Sequence, residues 1–190
     1  MSNPKIGIIV GTTRPTRFAD KPVEWLTALT GERSDLDFEV VDLRDYPMPF
    51  FEEPVSPART PSSHPVAQKW AAKIASLDGY IFITAEYNHS ISGALKNALD
   101  YVYPEFVRKP ATFVAYGGVG GARAVEQLRL ICIELQMAAL RAAVHISRDQ
   151  FAAVLQGEKT LSDFEVLKQQ ATLMLDDLAW WTKTLKAGRS

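Results

Sequence analysis

Residues that can bind an anion follow the first apolar segment of the chain. Positions 11–17 read GTTRPTR, directly after the apolar run at 6–10 and ahead of a helical pattern. Threonine hydroxyls, free backbone N–H groups at a helix N-terminus and guanidinium groups are donors that hold phosphates in proteins. The Gly-Lys ending of a Walker loop and the G-x-G of a dinucleotide loop are both missing. We therefore predict a site for one terminal phosphate; the alternative is that the threonines only cap the helix.

Two further loops carry residues suited to binding a flat ligand. Positions 85–93 read AEYNHSISG, a polar, aromatic and turn-prone segment whose backbone groups can line the edge of a ring. Within it, Glu86 and His89 suggest acid–base chemistry, but a surface or capping role is equally consistent with their positions. Positions 116–123 read YGGVGGAR and hold four of the eleven glycines, which lets a ligand approach the backbone closely. We predict that this glycine-rich segment binds a ligand.

Side chains for metal binding or nucleophilic catalysis are not grouped in the sequence. The three histidines, His64, His89 and His145, are far apart and have no cysteine or paired carboxylates near them. The single cysteine, Cys132, lies in an apolar-periodic run, which is typical of a buried residue. A G-x-S-x-G nucleophile motif is missing. We predict no metal site, and no side chain is identified as a catalytic nucleophile.

Short apolar runs alternate with helical patterns along the whole chain. Strands are predicted at 6–10, 38–43, 80–84, 111–116 and 141–146, the last at an edge of the sheet. Helices are predicted at 18–29, 66–77, 94–102, 125–135 and 162–186, the last with Ser162 as N-cap and Glu165 completing a capping box. This alternation is typical of a three-layer α/β sandwich with a parallel sheet. Ligands bind such sheets beyond the carboxyl ends of the strands, so the three loops should meet there.

A proline-rich segment interrupts this pattern after the second strand. Residues 47–65 contain six of the eleven prolines, and we predict a long, semi-rigid loop. The loop leaves the same edge of the sheet as the three polar loops. A plain surface connection and a role at the rim of a site are both consistent with this position.

Composition and charge restrict the class of protein. The chain has 190 residues, with 21 basic and 22 acidic side chains, and we expect a single domain over 1–190. The balanced charge provides no basic stripe for nucleic acid and no polybasic segment for an anionic membrane. No apolar run approaches about 18 residues, and the N-terminal apolar run is too short for a signal peptide. We expect a cytoplasmic protein that binds neither nucleic acid nor membrane.

Together the three loops resemble those of the NADPH-dependent FMN reductase family. The resemblance rests on GTTRPTRFADKPVEWL, AEYNHSISGALKNALDYVYPE, RKPATFVAYGG and GGVGGARAVEQLRLICIEL, which span about residues 5 to 135 in the expected order. It implies a flavodoxin-like fold with strand order 2-1-3-4-5, FMN as cofactor and NAD(P)H as cosubstrate. It also implies a small acceptor such as a quinone, an azo compound, free flavin or a metal ion. Ala85 and Ala115 replace the family's usual proline and serine, which suggests weaker flavin binding.

The resemblance also implies which residues hold the cofactor. The FMN phosphate would lie on the first loop, and the isoalloxazine and ribityl groups against the other two loops. A nicotinamide would then deliver hydride to the flavin and leave before the acceptor binds, which predicts ping-pong kinetics. The full set of predicted cofactor contacts is Thr12, Thr13, Arg14, Arg17, Phe18, Ala85, Glu86, Tyr87, Asn88, Tyr116, Gly117, Gly118 and Gly121.

Two other functional classes stay open at this point. A flavodoxin-type electron carrier would be strongly acidic for docking, which the balanced charge argues against. A flavin-binding redox sensor without turnover is consistent with the substitutions at Ala85 and Ala115. The family resemblance also implies a homodimer or homotetramer. Tyr101, Tyr103 and Phe106 could serve that interface or cover the protein's own core.

Overall fold

A computed structural model describes residues 3–189 and contains one five-stranded parallel sheet. The strand order is β2-β1-β3-β4-β5, so the predicted fold and the edge position of the fifth strand are confirmed. Every residue of the two strands at 79–85 and 110–116 is buried, as expected for a sheet that is covered on both faces. The strands are β1 Lys5–Val10, β2 Asp37–Asp42, β3 Gly79–Ala85, β4 Pro110–Tyr116 and β5 Ala138–Ile146.

Helices cover both faces of the sheet and bury its alternating side chains. The helices are α1 Asp20–Gly31, α2 Pro65–Ala75, α3 Gly93–Asp100, α4 Ala122–Glu134, α5 Arg148–Leu155 and α6 Glu165–Arg189. One core cluster joins Tyr80 and Phe82 of β3 to α2, α3 and α4. The other joins Ile81 and Ile83 to α1, α5 and α6. Successive residues of β3 thus face opposite layers, as the period of a strand requires.

Two features near the C-terminus differ from the sequence-based expectations. Helix α5 was not predicted, although Ser147 and Gln150 form a capping box at its start. Eight residues with few buried side chains gave too little apolar periodicity to identify it. The prediction of Ser162 as the N-cap of the last helix was wrong. Instead, the Asp163 carboxylate accepts hydrogen bonds from the amide and hydroxyl of Thr160, which closes a short 3-10 turn before α6 begins.

The proline-rich segment is a loop without regular structure, as predicted, and side chains of α3 and its C-terminus fasten it. The Asn97 side chain accepts a hydrogen bond from the amide of Phe51 at 2.8 Å and donates one to the carbonyl of Pro49 at 2.7 Å. Phe51 also packs edge-on against Tyr101. Tyr101 and Phe106 are buried in the chain's own core, which decides the alternative left open for these two aromatics. Within residues 3–189, no helix combines the length and the apolar character needed to cross a membrane.

Candidate functional site

The carboxyl ends of β1, β3 and β4 bring the three predicted loops to one edge of the sheet. The amide of Gly11 donates to the carbonyl of Ile83 at 2.8 Å, and the Ser92 hydroxyl donates to the carbonyl of Gly11. The amide of Glu86 donates to the carbonyl of Tyr116 at 2.9 Å. Each loop is therefore hydrogen-bonded to a neighbouring strand or loop, and the three form a single candidate site.

The first loop presents hydrogen-bond donors that have no partner among residues 3–189. Thr12 is fully buried, and its hydroxyl makes no hydrogen bond among the described residues. Across residues 3–189, the backbone amides of Thr12, Thr13 and Arg14 likewise find no acceptor. Thr13 and Arg14 are exposed, and the Arg14 guanidinium has no ion pair in this part of the chain. Unpaired buried donors are costly unless a ligand or water accepts from them, so this loop is suited to an anion.

The threonines do not cap the following helix. Helix α1 begins only at Asp20, and its N-cap is Ala19, which provides no side-chain hydrogen bond. The capping alternative for Thr12 and Thr13 is therefore wrong. The expected position of these donors at the helix N-terminus is also corrected, because the loop continues for several residues before α1 starts.

Arg17 lies behind the first loop with its donors occupied. Its guanidinium contacts both Asp42 oxygens, at 2.7 and 2.5 Å, the carbonyl of Thr12 at 2.6 Å and Asp20 at 2.8 Å. Burial lowers the pKa of Arg17, but the hydrogen bonds to Asp42 and Asp20 outweigh it and raise the pKa above its ordinary value. Burial raises the pKa of Asp42, but the hydrogen bonds and positive charges of Arg17 and Arg44 together outweigh it, so the pKa lies below its ordinary value. Both side chains are therefore charged, and Arg17 fixes the backbone of the loop.

Two residues, one at the carboxyl end of the second strand and one just beyond it, contribute to the site and were missed in the sequence. They are Asp42, the partner of Arg17, and Arg44, whose guanidinium donates to the carbonyls of Arg14 and Pro15. Because β2 ends at the same edge of the sheet as β1, a charged pair at its carboxyl end was an available signal.

The second loop is a tight hairpin at the end of β3. Tyr87 and Ser90 exchange backbone hydrogen bonds of 2.9 and 3.1 Å around Asn88 and His89. These two central residues have φ values of 49° and 75°, as a type I′ turn requires. Ala85 is buried in β3, Tyr87 is half-buried, and Asn88 and His89 are exposed at the tip. The loop therefore offers its backbone and the Tyr87 and Asn88 side chains to a ligand.

The third loop requires glycine at positions set by its neighbours. A Cβ atom on Gly121, where φ is 70°, would lie 2.6 Å from the Cβ of Ala115. A Cβ on Gly117 would lie 2.8 Å from the Cβ of Glu86. Gly118 is exposed, and a Cβ there would meet nothing within 4 Å. Two glycines thus permit close packing within the protein, whereas Gly118 leaves open space above the backbone.

Phe18 and Tyr116 form an aromatic layer behind the loops. Their rings meet edge-on at 5.0 Å, and Tyr116 stacks on Phe151 at 6.0 Å. Both residues are buried, so Phe18 supports the site from behind, and the Tyr116 carbonyl joins the third loop to the second through the Glu86 amide. Burial raises the pKa of Tyr116 to about 12, which the nearby Thr12 hydroxyl partly offsets. Like that of Thr12, the Tyr116 hydroxyl makes no hydrogen bond of normal geometry in the described structure.

An ion pair joins the second loop to the helix that follows the third. The Glu86 carboxylate contacts the Arg123 guanidinium, with 2.5 Å between Oε1 and Nε, and accepts a hydrogen bond from the Arg123 amide at 3.1 Å. Glu86 is therefore engaged in a structural contact, and it is not placed for acid–base catalysis. His145 supports the same loop, with 3.0 Å between Nδ1 and the carbonyl oxygen of Gly120.

Comparison with known proteins identifies the family. A model of the NADPH-dependent FMN reductase family matches residues 4–151. The chain belongs to this family. An NAD(P)H-dependent FMN reductase from Nectria sp is 38% identical over 130 residues, which is 65% of each chain, so the alignment spans just under two thirds of that relative. A 2-hydroxy-1,4-benzoquinone reductase from Burkholderia sp is 27% identical over 94% of this chain and 96% of its own.

The same fold occurs in a solved structure of low sequence identity. The structure of FerB, a flavoenzyme NAD(P)H:(acceptor) oxidoreductase from Paracoccus denitrificans, superposes with a TM-score of 0.73 at 20% identity. That superposition covers 95% of this chain and 98% of FerB and shows the likeness in fold. The expected family, the oxidoreductase class, FMN and the NAD(P)H cosubstrate are confirmed at the level of the family.

The residues at the sheet edge fit FMN. A phosphate monoester accepts hydrogen bonds, and the Thr12 hydroxyl and the neighbouring amides are unpaired donors. The backbone around Gly118 is open and can lie close to a flat ring. In the described part of the chain, no group of three or more metal-ligating side chains accompanies these donors.

Proposed function

We propose that this chain is an NAD(P)H-dependent oxidoreductase that uses FMN bound at this edge of the sheet to reduce small acceptors. The observation that carries the proposal is the set of unpaired donors around the buried Thr12 hydroxyl. Such donors match the terminal phosphate of FMN, and the family match supports the same cofactor.

The roles of the first loop's residues follow from their contacts. Thr12, Thr13 and Arg14 bind the phosphate, the threonines through amides and hydroxyls and Arg14 through its free guanidinium. Arg17, predicted from the sequence as a direct contact, acts as a positioning residue, because Asp42 already holds its donors. Phosphate binding by Arg17 would require breaking a buried ion pair.

The other two loops hold the ring system. The backbone from Glu86 to Asn88 would line the isoalloxazine, and the glycine loop from Tyr116 to Gly121 would hold the ring or the ribityl chain. The side chains of Glu86 and Tyr116 face the protein, so these residues act through their backbone. Open backbone at Gly118 supports this arrangement.

The protein supplies binding and orientation, and the cofactor supplies the electron transfer. When bound, FMN would supply the hydride and electron-transfer chemistry between NAD(P)H and a small acceptor, and the residues of the three loops would hold it in place. None of the described side chains at the site forms a nucleophile–base pair, and the charged side chains of Glu86 and Arg17 form ion pairs that hold loops in place. We therefore assign cofactor contacts and no catalytic side chain.

Quinones are the proposed acceptors. The Burkholderia relative, which aligns over nearly the whole chain, is named for a benzoquinone. Azo compounds, free flavin and metal ions are the alternatives. The electron-carrier alternative has less support, because the formal net charge is −1.

The test begins with the purified full-length chain. FMN is titrated against it by fluorescence quenching, and NADPH or NADH is then added without oxygen. We expect the yellow absorption to bleach with one of the nicotinamides and to return when 2-hydroxy-1,4-benzoquinone is added. An FMN-loaded sample that neither nicotinamide bleaches would contradict the proposal. Parallel double-reciprocal plots are expected from the ping-pong order.

Assembly into homodimers or homotetramers is part of the proposal. Leu130 and Ile133 lie three residues apart on α4, and both are largely exposed. A contiguous apolar pair on one helix face is suited to burial against a second copy. Sedimentation equilibrium of the wild type and of Leu130→Glu tests this, and a wild type that sediments as a monomer would contradict it.

A further inference from the structure

The N-terminus of α4 has no cap from its own segment. Its N-cap is Gly121, which has no side chain to accept a hydrogen bond from the first turn. The Glu86 carboxylate supplies the missing acceptor from the neighbouring loop, because its Oε2 lies 3.1 Å from the amide nitrogen of Arg123. A residue 37 positions away in the chain thus caps this helix.

The same carboxylate carries a second positive partner. Its Oε1 lies 2.5 Å from Arg123 Nε and also contacts a terminal guanidinium nitrogen. The Glu86 side chain is only 3% exposed, whereas that of Arg123 is 44% exposed. A buried negative charge therefore faces both a partly solvated cation and the positive end of a helix.

The position of this charge suggests an electrostatic role. A helix N-terminus carries about half a positive elementary charge, and Arg123 adds a full one. Both lie directly after the glycine loop, and the Glu86 amide is bonded to the first residue of that loop, Tyr116. A ligand held between the two loops would therefore lie beside the segments that carry these three charges.

We propose that Glu86 keeps the reduction potential of bound FMN low by offsetting the positive charge of Arg123 and of the α4 N-terminus. This inference rests on the proposed function, which places the flavin between these loops. Reduction makes the flavin more electron-rich, so nearby positive charge favours the reduced form and nearby negative charge opposes it. Glu86 is a positioning residue for both loops and sets the electrostatic balance between them.

Opposite charge changes should shift the potential in opposite directions. Glu86→Gln keeps an amide oxygen to cap Arg123 but removes the negative charge, so the potential should rise. Arg123→Met removes the positive charge, so the potential should fall. We expect about a tenfold change in the two-electron reduction equilibrium in each case, which is about 30 mV. The double variant should return close to the wild-type value.

The measurement is an anaerobic titration of the FMN-loaded protein against dyes of known potential. Glu126→Gln is the matched control. This glutamate lies on the same helix, but its side chain is 74% exposed and its contact with Arg129 is longer, at 3.6 Å. It should leave the potential unchanged. Single variants that shift together, or that both match the wild type, would overturn the inference.

A readout without FMN tests the capping contact separately. In the FMN-free protein, amide hydrogen exchange at Arg123 should accelerate in Glu86→Ala and remain slow in Glu86→Gln. Equal exchange in both variants would show that the carboxylate does not cap α4.

If Glu86→Gln fails to fold, the reduction potentials of Arg123→Met and Arg123→Lys are compared instead. Only the methionine variant loses the positive charge, so only its potential should fall. A wild type that binds no FMN would instead contradict the proposed function.

Discussion

Arg17 and Asp42 form a two-pronged ion pair beneath the first loop, residues 11–17. NH1 and NH2 of Arg17 lie 2.7 and 2.5 Å from the two carboxylate oxygens, and the Arg17 side chain is 4% exposed. This guanidinium has no N–H group left to donate to a ligand, because the Thr12 carbonyl and Asp20 accept hydrogen bonds from its remaining donors. The pair ties the end of β2 to the loop after β1.

Separate effects are therefore expected from the two arginines of this loop. Arg17→Ala leaves Asp42 with a partly buried and unpaired charge, and should lower the free energy of unfolding by about 3 kcal/mol. Arg14→Ala removes an exposed side chain, and should change stability by less than about 0.5 kcal/mol while weakening FMN binding. Urea denaturation without FMN and FMN titration measure the two effects. An Arg17→Ala protein of unchanged stability would contradict this division of roles.

The buried Thr12 hydroxyl should matter only when phosphate is present. Thr12→Val keeps the shape of the side chain and removes an unpaired polar atom, so the FMN-free protein should be as stable as the wild type or more stable. FMN affinity should fall about tenfold, the effect of one hydrogen bond to a charged group. Riboflavin, which has no phosphate, is the control ligand, and its affinity should not change. An equal loss for both ligands would exclude the phosphate contact.

Gly118 distinguishes a ligand-binding role from a packing role. A Cβ atom at this position meets nothing within 4 Å, so Gly118→Ala should change the stability of the FMN-free protein by less than about 0.5 kcal/mol. If the flavin lies on this backbone, its affinity should fall at least about tenfold, as expected for a loss of about 1.4 kcal/mol. Gly31→Ala, at the far end of α1 and equally open, is the matched control. Unchanged FMN affinity in Gly118→Ala would place the ring elsewhere.

Because of Lys109, the free energy of unfolding should change with pH in the alkaline range. Its ammonium group donates to the carbonyls of Ile74 and Ala75 at the end of α2, and burial lowers its pKa to about 8. The unfolded chain, with an ordinary lysine pKa of about 10.4, then binds more protons than the folded protein between these values. Stability should rise with pH in this window, by at most about 1.4 kcal/mol per pH unit.

Comparison with Lys109→Met isolates this effect. Burial also raises the pKa of the Cys132 thiol to about 12. The free energy of unfolding therefore falls as the pH rises above the pKa of an exposed thiol, because only the unfolded chain then loses this proton. Both proteins contain Cys132, so the difference between their urea denaturation curves at pH 7.5 to 9.5 reports Lys109. Parallel pH profiles for the two proteins would show that Lys109 does not titrate there.

Local patterns were sufficient for most of the fold. The five apolar runs predicted five strands, and their alternation with helices predicted the parallel sheet that the structure contains. Helix α5 was missed because its eight residues bury only Val154, so hydrophobic periodicity is weak there. The start of α6 was misplaced because two overlapping capping patterns occur in the sequence, and the one at Thr160 and Asp163 forms.

The sequence by itself determined which loops meet, and only the tertiary structure decided which atoms within them are free. Parallel strands deliver their carboxyl ends to one edge, so the positions of the three loops follow from strand order alone. The pairs Arg17–Asp42 and Glu86–Arg123 are 25 and 37 residues apart, and no periodicity connects them. Their formation depends on loop dihedral angles and strand register, which decide which side chains come within hydrogen-bonding distance of each other. These contacts engage Arg17 and Glu86 and leave Thr12 and Arg14 free to bind a ligand.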